Sequence, residues 1–297
     1  MTKLFAPSRA FCSVRRTGIL AAIGALLSGC SAAGALNALV PSDTYRRRDG
    51  IAYGSDPRQQ LDVYQPLAGT PAAATPPLVV FFYGGNWKSG ERGDYRFIGE
   101  ALASQGAVVV IPDYRLYPQV RYPDFLLDSA AAVRWGFEHA RELGADPSNV
   151  VVMGHSAGAY NAAMLALDPR WLGPLRERLA GFIGIAGPYD FLPIENPDTQ
   201  RAFSWPGTPP QSQPVAHVSA RAPRTLLIAP EKDNLVNPQR STVGLGERLR
   251  AAGVDTTVRV LPGVSHATVI GAMARPLRGL APVWPEVARF LRLAAPA

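Results

Sequence analysis

Five short runs of apolar residues punctuate the chain, at 78–82, 107–111, 150–153, 182–185 and 225–228, each uniformly apolar and without polar alternation. Runs of that length and character suit strands covered on both faces, as in a parallel sheet. A sixth run, 257–261, alternates more. Between the runs lie helical patterns at 95–105, 124–143 (with Gly144 as a C-terminal cap), 157–167, 243–252 and 283–293. Strand and helix alternate, which predicts an α/β fold: a mostly parallel central sheet with right-handed crossovers, flanked by helices. Upstream, "GIAYG" and "QLDVYQP" flank "SDPRQ" and read as an antiparallel hairpin at the sheet edge. The stretch 187–222 breaks the rhythm with prolines and little periodicity. An insertion that long in a compact domain is more often functional than idle, so it reads as a short irregular lid.

With 297 residues, 47% hydrophobic and 18% charged, the chain can bury a large core, and one domain over 46–297 accounts for it. Its two cysteines, Cys12 and Cys30, both precede that domain, so the domain holds neither a disulfide nor a cysteine metal site. The first 29 residues read as an export signal: Lys3, Arg9, Arg15 and Arg16 without an acid, then the apolar "TGILAAIGALL", too short for a comfortable membrane span. It ends in "LSGC" (27–30), which resembles the lipobox of bacterial lipoproteins. That likeness implies lipidation of Cys30, a tether over 30–45 and, with Ser31 next, an outer-membrane destination. Loss of residues 1–29 removes those four positive charges and lowers the formal net charge from +7 to +3. The basic balance is therefore no argument for nucleic acid, and the remaining run "YRRR" (45–48) reads as solvated surface.

In a sheet of this kind ligands collect beyond the carboxyl ends of the strands, so chemistry is to be sought just after each apolar run. After 150–153 comes Gly154-His155-Ser156-Ala157-Gly158, a G-x-S-x-G match with strand, tight turn and helix in the required order. A serine hydroxyl needs a base, and histidine suits neutral pH. Of four histidines, His155 lies inside the turn, His139 on a helical segment before the strand and His217 in the insertion. His266, in "LPGVSHATV" after the last strand, is the expected base. The acid that orients it must also follow a strand. Asp113, Asp190 and Asp233 all do, with Glu231 a remoter choice, and Asp113 reads as tying down its own loop.

These residues resemble the α/β-hydrolase superfamily, in its esterase branch akin to hormone-sensitive lipase and the kynurenine-formamidase-like enzymes, over roughly residues 50–295. The likeness includes "GHSAG", "DYRLYP" (113–118) and "YGGNW" (83–87), the last similar to that branch's His-Gly-Gly-x-Trp oxyanion loop. The superfamily's order Ser, Asp, His favours Asp233 as the acid. By correspondence, the backbone N–H groups of Gly85, Asn86 and Ala157 form the oxyanion hole, and glycine lets the main chain come close to the reacting carbonyl. Tyr83 departs from the pattern, standing where the branch carries histidine. Trp87 and Tyr160 are expected in the substrate pocket. Together these features imply a lipid-anchored carboxylesterase with no metal or organic cofactor, acting on small-molecule esters through an acyl-enzyme. An amidase, formamidase or peptidase with the same triad, or a binding lipoprotein that keeps the fold alone, are the competing readings.

Overall fold

The computed structural model describes residues 32–70 and 76–293. Residues 1–29, expected to be a signal peptide, lie outside them, as do Cys30 and Ser31. Eight strands form one sheet: β1 (Tyr45–Ala52), β2 (Gln60–Pro66), β3 (Leu78–Phe82), β4 (Val108–Pro112), β5 (Val150–His155), β6 (Leu179–Ile185), β7 (Thr225–Pro230) and β8 (Thr256–Leu261), in the order β1-β2-β4-β3-β5-β6-β7-β8. From β4 to β8 the pairing is parallel, while β2 runs antiparallel to both β1 and β4. The hairpin therefore forms as expected, except that its first strand begins at Tyr45 and takes in the arginine run.

Burial follows the apolar runs. Every residue of β3, β4, β5 and β7 is buried, whereas the edge strands β1 and β8 are largely open. Nine helices are described: α1 (Ala32–Ala38), α2 (Arg96–Ala103), α3 (Asp124–His139), α4 (Ala157–Leu167), α5 (Pro169–Leu172), α6 (Pro197–Phe203), α7 (Gly244–Ala251), α8 (His266–Gly271) and α9 (Val283–Leu291). The chain leaves β3 toward β4 and then returns past it to β5, so the connections from β3 and β5 diverge at their carboxyl ends. That switch point is where open α/β sheets bind ligands.

Three expectations need correction. Part of the stretch expected to run free as a tether is helix α1, whose Asn37 accepts a hydrogen bond from the Phe97 N–H (3.2 Å) and donates to the Gly93 carbonyl (2.6 Å). The arginine run is only partly solvated surface: it forms the edge strand, and Arg47 reaches back to the fully buried Asp62 at 2.8 Å. The insertion 187–222 contains α6 and short turns of 3-10 helix at Pro210–Ser212 and Pro214–His217. It is tied to itself where the Phe191 N–H donates to Gln213 Oε1 (2.8 Å), and pinned to the body where the Tyr160 hydroxyl donates to the Ser212 carbonyl (2.7 Å).

Candidate active site

Ser156 occupies the turn between β5 and α4 with φ 54° and ψ −124°, a conformation costly for any residue but glycine. The turn is tight because its flanks carry no side chains. A Cβ on Gly154 would stand 2.2 Å from the Gly158 carbonyl oxygen, and one on Gly158 would stand 2.1 Å from that of Phe82. The Ser156 N–H is held by the Ile185 carbonyl of the neighbouring strand at 2.9 Å. Strain in the turn thus lifts the Oγ above the sheet's edge, and neighbouring backbone keeps it there.

His266 is the first residue of α8, a short helix opened by a reciprocal cap in which Ser265 and Thr268 bond each other's side chain and backbone. Its Nε2 lies 2.8 Å from Ser156 Oγ and its Nδ1 lies 2.7 Å from Asp233 Oδ2. The other Asp233 oxygen accepts the N–H groups of Leu235 (2.8 Å) and Val236 (3.1 Å). Burial alone raises a carboxyl pKa, yet the hydrogen bond and charge of His266 and the two backbone donors hold Asp233 below the usual carboxylate range. Ionised Asp233 fixes the tautomer with Nδ1 protonated and leaves Nε2 free to take the serine proton. Asp190 lines the cleft but bonds Arg240 at 2.8 Å instead of His266, and Asp113 binds the Arg92 backbone and the Tyr83 hydroxyl.

A second histidine supports the first. His155 sits behind the serine, 5% exposed, its Nε2 donating to the His266 carbonyl at 3.0 Å. Burial, and next the adjacent His266, push its pKa down to about 3, so it stays neutral beside the His266 ring. Sequence reading placed His155 in the elbow but had no means of seeing this contact, which spans 111 residues.

The loop after β3 crosses the elbow, so near that a Cβ on Gly84 would stand 2.9 Å from that of Ser156. Gly85 has φ 130°, which only glycine adopts readily, and Asn86 (54°) and Trp87 (57°) follow with positive φ as well. Among the described residues neither the Gly85 nor the Asn86 N–H has an acceptor. Ala157, first in α4, has no intrahelical partner for its N–H. Tyr83 points the other way, into a buried polar network. Its hydroxyl donates to Asp113 Oδ1 (2.9 Å) and accepts from Arg58 (3.0 Å), and its ring stacks 4.8 Å from Tyr114. Burial, with Tyr114 and Asp113 adding to it, raises its pKa well above the usual value, so Tyr83 anchors the loop as a neutral phenol.

A cleft of about 610 Å³ opens over Ser156 and Ala157, walled by Asn86, Trp87, Phe191 and Leu235. Trp87 lines this cleft, and its indole N–H bonds Asn161 Oδ1 at 3.0 Å. Tyr160 does not line the cleft. It is fully buried behind Trp87, with ring centroids 5.2 Å apart in an edge-on contact. An aromatic on the first turn of α4 points into the cluster under the insertion, a direction that residue type alone does not reveal. The insertion also contributes α6, which the reading of 187–222 as irregular missed; the signal that could have found it is Asn196-Pro197-Asp198, an N-cap, a proline at the first helical position and an acid in the first turn.

A hydrogen-bonded Ser-His-Asp set at the carboxyl ends of a mostly parallel sheet defines an α/β-hydrolase. The BD-FAE family model matches residues 61–249, well over half of the chain, and the protein belongs to that family. Among curated relatives, the esterase LipC of Mycobacterium tuberculosis is 29% identical over 246 residues, 75% of this chain and 60% of its own. The probable isoprenylcysteine alpha-carbonyl methylesterase ICMEL1 of Arabidopsis thaliana is 26% identical over 261 residues, 78% and 53% respectively. The chain thus spans between half and two thirds of the length of these relatives. Among solved structures, the hyperthermophilic esterase of Pyrobaculum calidifontis superposes with a TM-score of 0.71 at 23% identity, covering 88% of this chain and 90% of that one. Esterase B of Lactobacillus rhamnosis gives 0.72 at 20%, covering 93% of each. At such identities the superpositions speak for the fold.

Proposed function

We propose that the protein is a serine carboxylesterase. The observation that carries this reading is the unbroken chain Ser156 Oγ, His266, Asp233, at 2.8 and 2.7 Å, opening into the cleft beside the unpaired amides of Gly85 and Asn86. Ser156 Oγ attacks the ester carbonyl while His266 Nε2 takes its proton, and Asp233 holds the resulting imidazolium. The carbonyl oxygen becomes an oxyanion that the N–H groups of Gly85, Asn86 and Ala157 receive. Collapse breaks the bond to the alcohol oxygen, which leaves with the proton from His266. Water, deprotonated by the same imidazole, then attacks the acyl carbon, and the bond to Ser156 Oγ breaks as His266 returns the proton to Oγ and the acid leaves. That the relatives of similar sequence bear the names of esterases supports the acyl group and the leaving alcohol.

The test is a panel of short p-nitrophenyl esters, aryl formamides and aminoacyl anilides, together with fluorophosphonate labelling. Ester turnover by wild type, an adduct on Ser156 and a loss of at least about 10³-fold in Ser156→Ala are expected. Turnover confined to the amides overturns the ester reading, and folded wild-type protein without an adduct overturns catalysis by Ser156. The basic and apolar leader and the cysteine at its end support export and anchoring of the enzyme through lipid on Cys30, at the outer membrane.

A further inference from the structure

We propose that Asn86 and Thr199 are positioning residues, through which helix α6 of the insertion sets where the Gly85 and Asn86 N–H groups point. The proposal rests on the reading of Ser156 as an acyl-transfer nucleophile. Its starting point is strain: Asn86 and Trp87 are consecutive non-glycine residues at positive φ, and asparagine tolerates that region better than tryptophan does. Such a segment persists only when its surroundings over-determine it. For Trp87 these are the bond from its indole to Asn161 and that from the Tyr117 N–H to its carbonyl (2.8 Å).

For Asn86 they come from the insertion. Asn86 Nδ2 donates to Asn196 Oδ1 at 3.2 Å, and Asn86 Oδ1 accepts from the Thr199 hydroxyl at 2.7 Å. Asn196 Oδ1 also caps α6, accepting the N–H groups of Asp198 and Thr199 at 3.0 Å each, so the helix cap and the loop share one acceptor. Both polar ends of the Asn86 side chain are thereby engaged, and its backbone cannot rotate without breaking both bonds. Thr199 is only 7% exposed, which shields the shorter bond from water, whereas the neighbouring Lys88–Asp198 pair (2.9 Å) lies at the surface and contributes little. Helix α6 is itself fixed to the body by the Tyr122 N–H, which donates to the Ala202 carbonyl at 2.8 Å, and by Phe203, packed edge-on against Trp87.

Donors aimed at an oxyanion act where charge develops in the transition state, and a small rotation of the loop therefore affects turnover more than substrate binding. Steady-state kinetics with p-nitrophenyl butyrate on the full chain read this directly. Thr199→Val, which removes the hydroxyl and keeps the shape, is expected to lower kcat about tenfold or more with KM changed less than about twofold, and Asn86→Ala to do the same. Thr199→Ser, which keeps the donor, recovers most of kcat, and the Asn86→Ala/Thr199→Val double variant is no worse than the weaker single. The proposal is overturned if Thr199→Val keeps kcat, if its loss lies in KM, if serine fails to rescue, or if the two losses add. Absence of ester turnover by wild type defeats the ester reading instead, and the same variants are then ranked by the rate of fluorophosphonate labelling of Ser156, whose phosphonyl oxygen takes the oxyanion's place.

Discussion

His155 shows how one enclosed side chain ties pH to stability. In the folded protein its pKa is pushed down to about 3, first by burial and then by His266, while in the unfolded chain it titrates near the ordinary histidine value of about 6.5. Between these values the unfolded state binds a proton that the folded state refuses, so stability falls as pH falls through that window and is unaffected above it. Asp233, whose folded pKa is lowered, acts in the same direction, its contribution being lost as pH drops through that lowered value. Replacing His155 by glutamine keeps an N–H for the His266 carbonyl and removes one titrating group. Urea unfolding at pH 7 and at about pH 5 should therefore show a smaller loss of stability on acidification in His155→Gln than in wild type. Equal losses in both proteins would mean that His155 is not held neutral by the fold. Tyr83 teaches a related lesson about residue type: in the place expected for histidine it still anchors the loop, because a phenol can both donate to Asp113 and accept from Arg58.

Elements, rather than single side chains, decide the shape of the elbow. Strands β3 and β5 pair in register with Phe82 beside Gly154, and α4 starts so close to them that Gly158 rests on the carbonyls of Phe82 and Tyr83. Neither strand can retreat, since both lie in the middle of the sheet with every residue buried. A methyl at Gly158 must therefore push α4 off the sheet. Gly158→Ala is expected to cost at least about 3 kcal/mol in urea unfolding, the upper range for overpacked cores, and to abolish ester turnover as Ser156 shifts. Near-wild-type stability in that variant would show that the helix can slide. The periodicity of the sequence located both strands and the body of α4. It missed that His266 begins a helix, because the apolar residues of α8 span too few positions for a period to register.

On the scale of the whole molecule, the proposed leader and the catalytic body are separate questions with separate measurements. Anchoring predicts that mass spectrometry of membrane-extracted protein finds a lipidated Cys30 as the first residue, and that Cys30→Ser moves the protein to the soluble fraction while leaving ester turnover in place. An unmodified Cys30 inside an intact leader would contradict it. Within the body, the sequence by itself determined the apolar sheet strands, the elbow with Ser156, and the placing of His266 and the candidate acids after strands, because apolar runs and tight turns are local properties written in adjacent residues. What only the tertiary structure decided were contacts between distant segments. Asp233 rather than Asp190 meets His266, although both follow strands, because the turn that bonds the Asp233 carboxylate to Leu235 and Val236 aims its other oxygen at Nδ1, whereas Arg240 holds Asp190. Tyr160 turns inward, His155 bonds His266, and α6 reaches Asn86 across 113 residues of chain at Thr199 for the same reason. A side chain's direction is set by what packs against it, and pairings over such distances leave no periodic trace in the sequence.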